Sequence, residues 1–357
     1  MMNGKTVKDK CGFLAIGAYG GNQCVHFYKK GYPTLFVNTA LQDLDSLTEV
    51  DGIYKYHIPR GEGCNKDRSK SKEIFKKDID NIVNEIKEKM PGIEYLFIVG
   101  SSGGGTASGI IASMKRVALN ALDDLKACPV ITVLPNTKQE SVKALLNCYE
   151  TLSEIEQIGE EPGATFILDN DKNTNKLRIN EMFFWYLDAL LSNQSSSVLG
   201  NVDNAEIEEL ISTPGMAIIS KLGKDKSDTQ QLISTFHNNI YAPMEKDKVI
   251  KYIGLISSGK GKEIQIEDIY DEVGSPLDCF TGYEAESTIC ILAGLSLPYE
   301  KMAEIKEKID SNKSTIQKNL MAQKQNRLSE GLDFFTEEIV KPEAKPTKRK
   351  SNRDCLF

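Results

Sequence analysis

The 357-residue chain is 40% hydrophobic and 27% charged, an ordinary globular balance with enough apolar mass for two domains. Its net charge of −7 excludes a generally basic nucleic-acid-binding surface, so strong direct binding to nucleic acid is not expected. No apolar run approaches the roughly 18 residues that cross a bilayer, and eight scattered cysteines without a C-x-x-C pair, with three distant histidines, argue against structural zinc.

The N-terminal "MMNGKTVKDKCGFLAIGAYGG" has a basic start but only a short apolar stretch, which runs into glycines. It reads as a buried strand, not a signal peptide. The cysteines read as small core residues in a reducing cytoplasm. "GFLAIGA" is a strand, "NQCVHFYKKG" a helix, "PTLFVNT" a strand and the basic "RGEGCNKDRSKSKE" a loop. "EIFKKDIDNIVNEIKEKM" gathers Ile74, Ile79, Ile82, Val83 and Ile86 on one helical face. "IEYLFIVG" is a strand, "TASGIIASMKRVALNALDDL" a helix, "PVITVLP" a strand, "SVKALLNCYETLSEI" a helix and "ATFILDN" a strand. This βαβα alternation predicts a Rossmann-like, doubly wound parallel sheet over residues 1–178.

"NEMFFWYLDALLSNQSSSVLG" is apolar through most of its length and predicts a buried central helix over 179–200. Residues 201–298 read as a smaller α/β domain with a mixed sheet. Its strands are "GMAIISKLG", "KVIKYIGLISSG" and "STICILAGLSLP"; its helices are "SDTQQLISTFHNNI" and "IEDIYDEVG". Residues 299–338 are helical, with an apolar stripe of Met302, Ile305, Ile309, Ile316, Leu320, Leu328, Leu332 and Phe335, broken at "SNKST" (311–315). The basic tail, 339–357, is expected to be disordered.

"FIVGSSGGGTASG" (97–109) sets three glycines directly after a buried strand and at the opening of a helix. Free amides and the dipole at such an end favour an anion, glycines let it approach, and Thr106 and Ser108 add hydroxyls. The alternative is a plain strand-to-helix turn. "GAYGGN" (17–22) and "RGEGCN" (60–65) are further glycine loops after strands, so three loops converge on the carboxyl ends of the strands and favour a polyphosphate. There is no Walker loop: "GLISSGKG" (254–261) has Gly261 where a hydroxyl belongs. The dinucleotide fingerprint fails too, with Tyr19 at its second glycine and Asn38 ending the second strand.

"GGGTASG" (103–109) resembles the signature of the tubulin/FtsZ superfamily, and "GAYGGNQ" and "VNTALQDLDSL" resemble its neighbouring loops in the same order. The long charged C-terminal helix and short basic tail most resemble the plasmid- and phage-borne TubZ branch. The resemblance implies GTP or GDP, with Mg2+, as the ligand. It puts Gly20, Gly21, Gly103, Gly104, Gly105, Thr106, Ala107, Ser108 and Gly109 at the phosphates, with Ala107 in place of a glycine. Asn22, Asn170 and Asp188 would take the guanine, whose N1–H and amine are donors suited to a carboxylate. Phe184 would either stack on the base or pack in the core. Glu140 and Lys143 would contact the ribose.

"NVDNAEIEEL" (201–210) resembles the family's catalytic loop through Asn201, Asp203 and Glu206, a glutamate replacing the last aspartate. In the family this loop acts in trans on the next subunit's nucleotide. The same residues also suit a capped helix start, at Asp203 or Asn204. The implied function is a GTPase forming head-to-tail filaments that move plasmid or phage DNA in a bacterial cytoplasm, its tail docking a DNA-bound adaptor protein. Alternatives are an FtsZ-type division filament and a non-polymerising dinucleotide-dependent oxidoreductase.

Overall fold

The computed structural model describes residues 6–325 except 60, 174, 225–227 and 260–263, with side chains to residue 318. After a 3-10 turn at Val7–Lys10 the elements are β1 (Cys11–Ile16), α1 (Gly17–Lys29), β2 (Thr34–Asn38), α2 (Leu41–Asp45), β3 (Lys55–His57), α3 (Arg68–Lys89), β4 (Tyr95–Ser101), α4 (Ile111–Ala121), β5 (Val130–Leu134), α5 (Val142–Gln157), β6 (Thr165–Asp169) and α6 (Lys176–Leu191). There follow α7 (Asn204–Ser212), β7 (Met216–Gly223), α8 (Thr229–His237), β8 (Tyr252–Ile256), α9 (Ile266–Val273), β9 (Asp278–Gly282), β10 (Ser287–Leu295) and α10 (Tyr299–Gln325). The chain divides after Ser311 into two compact units.

The strands form one sheet in the order β3-β2-β1-β4-β5-β6-β7-β10-β8-β9. From β3 to β6 every pairing is parallel, and β1, β2, β5 and β6 are buried along their whole length, as strands covered on both faces must be. The expected doubly wound half is present. The other half is mixed: β10 is antiparallel to β7 and β8, and β8 is parallel to β9. The two halves meet at one register pair, Thr165 with Met216. Chain order reverses between β1 and β4, which is where open α/β sheets bind ligands.

Several boundaries differ from expectation for local reasons. α3 begins at Arg68, inside the expected loop, because Asp67 caps it through the Lys70 amide. α6 stops at Leu191, short of residue 200. Short polar side chains there compete for the backbone, and Asn193 accepts from the Ser195 amide and hydroxyl. The "SNKST" segment does not break α10. Of the expected C-terminal stripe, Ile305 and Ile309 are buried in the core, while Leu328, Leu332, Phe335 and the basic tail lie outside the described residues. No helix among the described residues is long and apolar enough to cross a membrane. The described cysteines are all free thiols; six are buried, and burial pushes Cys128 and Cys148 up to about 12.

α10 is fastened beneath the end of β6 by Lys301, which is 7% exposed. Its Nζ lies 2.8 Å from Asp171 Oδ2, 3.0 Å from Glu304 Oε2 and 3.6 Å from Asp169 Oδ2. Burial opposes its charge, but these carboxylates prevail and raise its pKa. Burial likewise opposes ionisation of Asp171, yet Lys301 and Thr137 hold its carboxyl below the usual range. Asp171 therefore stabilises the fold above the ordinary carboxylate pKa, and that stability is lost as pH falls through its depressed value. Lys301 contributes below the ordinary lysine pKa, and its share is lost as pH rises through its raised value. Replacing Lys301 by Met leaves two carboxylates near the base of α10 without a countercharge. Urea unfolding at neutral pH is expected to show a loss of about 3 kcal/mol.

Candidate nucleotide-binding site

A cleft of ≈ 370 Å³ opens where β1 and β4 end, lined by residues 16–19, Ala40, Asp43, residues 63–65, Ser101 and residues 104–107. A hollow of ≈ 140 Å³ shares Gly17, Ala18 and Asp43 with it and reaches Asn22. The expected loop at 17–22 is helical: α1 starts at Gly17, directly after β1, so its first unpaired amides and positive dipole end face the cleft. Gly20 and Gly21 are buried within that helix. A Cβ on Gly20 would stand 2.5 Å from the Val99 carbonyl, and one on Gly21 would stand 3.1 Å from Leu47. Gly20 thus lets α1 lie close against the sheet, and Gly21 leaves room for Leu47.

The 103–109 stretch is held by its carbonyls. Gly104 O accepts from Ser108 Oγ (2.6 Å) and Asn147 Nδ2 (2.9 Å), and Thr106 O accepts from Ser71 Oγ (2.6 Å). The single Thr151 hydroxyl proton has Asn147 O (2.7 Å), Ser108 O (2.9 Å) and Ser102 O (3.2 Å) within reach. None of the amides of Gly103 to Gly109 makes a well-formed hydrogen bond among the described residues. A run of free amides beside a helix start is a concavity for anions. The same side-chain capture explains why α4 opens at Ile111 rather than at Thr106. The Gly104 and Thr106 carbonyls are taken by side chains, so the helical ladder starts only when Ile111 donates to Ala107 O. Ala107 is buried, and its methyl sits where Gly100 leaves room: a Cβ there would be 2.5 Å away.

Across the cleft, Gly63 (φ 78°), Asn65 (φ 45°) and Lys66 (φ 56°) are left-handed. Two of these are not glycine, and that backbone is strained. α5 and the residue before its cap restrain it. Lys143 Nζ donates to Asn65 O (2.9 Å), Asn147 Nδ2 to Lys66 O (3.1 Å), and Lys66 Nζ to Glu140 Oε2 (3.2 Å). Burial opposes the charge on Glu140, but Lys176 and Lys66 lower its pKa. Glu140 and Lys143, expected at the ribose, thus brace this loop. Gly105 lets it approach: a Cβ there would stand 2.7 Å from the Lys66 amide.

On the same rim, Asn22 is exposed on α1, and Asn170 follows β6 with its carbonyl accepting from Asn136 Nδ2 (3.2 Å). Asp188 and Phe184 are elsewhere. α6 runs alongside α1, with Gln23 bonded to Asn180 O, Phe27 edge-on to Phe184, and Lys30 paired with Asp188. Asp188 accepts from the Tyr32 hydroxyl (2.9 Å), beside the start of β2, a helix length of about 20 Å from Gly17. Phe184 is buried against Phe27 and His26. Asp188 lies about two helical turns further along α6 than Glu181, whose neighbour Asn180 bonds to α1. The exposed carboxylate near the rim is Glu181; burial lowers the pKa of the neighbouring His26, and Glu181 opposes that shift without reversing it.

Asp203 caps α7 through the Glu206 amide (2.9 Å), and the Glu206 side chain returns to the Asp203 amide (2.8 Å). Asn201 accepts from the Ser197 amide. On the next turn, Glu208 accepts from Tyr95, the first residue of β4 (2.7 Å), and pairs with Lys10. The glycine stretch follows the last residue of β4, about 20 Å further on. Glu208 of α7 and the cleft thus occupy opposite ends of the same strand.

Asp43, held by Asn38 Nδ2 (2.9 Å), gives the cleft one carboxylate, and Thr39 and Thr106 pair their hydroxyls at 2.9 Å. This donor set fits Mg2+, which uses one or two carboxylates and takes its other ligands from phosphate and water. No cluster of three or more acidic, histidine or cysteine ligands occurs among the described residues.

An unpaired-amide nest and a helix start meeting at the switch point define a phosphate-binding α/β domain. Residues 10–177 match the family model Tubulin/FtsZ family, GTPase domain, and this part of the chain is similar to that domain. The chain resembles the tubulin-like protein TubZ of Clostridium botulinum C phage, with 25% identity over 337 residues, 93% of this chain and 91% of that one. The solved structure of tail-truncated TubZ from Clostridium botulinum phage c-st matches with a TM-score of 0.76 and 26% identity, covering 87% of this chain and 99% of that one. A GTPγS-form protofilament of Bacillus thuringiensis serovar israelensis TubZ shares the fold (TM-score 0.73, 16% identity, 88% and 94% covered).

Proposed function

We propose that the chain binds GTP in the cleft and polymerises head to tail, each subunit's α7 start completing the site of its neighbour. One observation carries this. The helix α7, whose start carries Asp203 and Glu206, is tied through Glu208 to Tyr95 at the beginning of β4, while the phosphate nest follows the end of that strand, about 20 Å further on. Such residues serve a nucleotide only across an interface between unlike ends, and that interface repeats into an open filament.

In this reading the free amides of α1 and of residues 103–109 hold the phosphates. Asp43 would hold a Mg2+, which when bound neutralises charge between the terminal phosphates. Asn22 and Asn170 hold the base, with Glu181 as its carboxylate. Asp203 and Glu206 from the adjoining subunit polarise and orient the attacking water. Keeping these carboxylates away from the triphosphate until assembly avoids repulsion in the monomer, and loss of the terminal phosphate at the joint loosens the filament. The cargo is plasmid or phage DNA, reached through an adaptor that the tail binds.

The test is Glu206→Ala and Asp203→Ala in the purified chain. GTP binding should persist, phosphate release should fall by about a hundredfold or more, and electron microscopy should show static filaments. Turnover that is undiminished, or equally fast at dilutions where the chain is monomeric, would end the trans reading. The base assignment has its own check by nucleotide titration. Glu181→Gln is expected to weaken GTP by about tenfold. Asp188→Asn should leave GTP affinity within about twofold while destabilising the fold by about 1 kcal/mol.

A further inference from the structure

Two different loops face each other across the cleft, and one buried amide ties them together. Asn147 is 5% exposed, on the face of α5 that looks toward the rim. Its Nδ2 uses both hydrogens, one on Gly104 O (2.9 Å) and one on Lys66 O (3.1 Å). Gly104 O has a second donor in Ser108, whereas among the described residues Lys66 O accepts only from Asn147. The Lys66 side of this tie carries strain, with positive φ at Gly63, Asn65 and Lys66. Such backbone persists only where its surroundings over-determine it. Lys143, one turn earlier on α5, holds the adjacent Asn65 carbonyl from the solvent side.

We propose that Asn147 is a positioning residue that sets the width of the cleft between residues 63–66 and 104–107, and with it the preference for a triphosphate over a diphosphate. This rests on the proposed GTP site. The amides of α1 and the glycine stretch lie at the switch point and serve the phosphates that GTP and GDP share. The strained loop belongs to neither β1 nor β4 and stands across the cleft from that point. In this reading it is the part of the wall that a third phosphate would approach, so its distance from Gly104 matters to the third. Asn147 fixes that distance by a single sp2 nitrogen shared between the two backbones. An aspartate of the same shape would turn both donors into acceptors facing two carbonyls.

The experiment measures dissociation constants for GTPγS and GDP, side by side, on the full chain and on Asn147→Ala, Asn147→Asp and Lys143→Met. The expected result is an affinity for GTPγS about tenfold weaker in Asn147→Ala and weaker still in Asn147→Asp, with GDP changed by less than about twofold. Lys143→Met should move the same ratio in the same direction by about threefold. Equal weakening of both nucleotides, or no weakening of either, overturns the proposal, because a purely structural residue would not separate them. If the Asn147 variants do not fold, the ratio in Lys143→Met decides the matter alone: a shift supports the proposal and no shift overturns it. A parent chain that binds neither nucleotide refutes the GTP site itself, which is a different outcome from a parent that binds both and variants that keep its ratio.

Discussion

The rim depends on which way a handful of backbone carbonyls point. Ser108, Asn147, Ser71 and Thr151 draw the carbonyls of residues 102, 104, 106 and 108 toward α3, α5 and the loop's own side chains. The amides of residues 103–109 are left for a ligand, and no regular helix forms until Ile111. A peptide group has one donor and one acceptor, and fixing the acceptor fixes the donor's direction. The glycines matter here less as flexible points than as places where a side chain would collide. At Gly105 the strained loop comes in; at Gly20 the strand does.

The sheet was legible because buried parallel strands are short apolar runs between helical periodicities, and β1, β2, β4, β5 and β6 all are. β3 was not: Lys55–His57 pairs at the edge and is only half buried, so it has no apolar signature. The phosphate-binding stretch was legible because three adjacent glycines after a strand have few other uses. Its supports were not, since Asn147 and Thr151 are single polar residues on an otherwise apolar helix face, and only the fold reveals what they face. Asp188 misled because a carboxylate one turn past a phenylalanine on α6 suits guanine chemically. What sequence spacing could not supply was the helix's phase and direction relative to α1, which the pairs Gln23–Asn180 and Lys30–Asp188 establish.

The two ends of the molecule are built on the same strands. Where β4 ends, the chain turns into the amide nest; where it begins, Tyr95 anchors α7 through Glu208. A rigid parallel sheet thus sets the spacing between acceptor and donor surfaces, and that spacing becomes the repeat of the proposed polymer. The helices that return between the strands, α1 among them, carry backbone from one surface to the other. This is why a residue only two turns out of place on α6 lands on the wrong end.

The reciprocal bonds between Asp203 and Glu206 have a consequence for how such a surface works on a neighbour. Both carboxylates are already immobilised by α7's own first turn, so docking freezes few additional rotamers on that side of the contact. The acidic knob is stiff before it meets anything. In the proposed filament, encounter between subunits would then be a matter of fit rather than of induced ordering, and the geometry offered to a water molecule would be the same at every joint along the polymer.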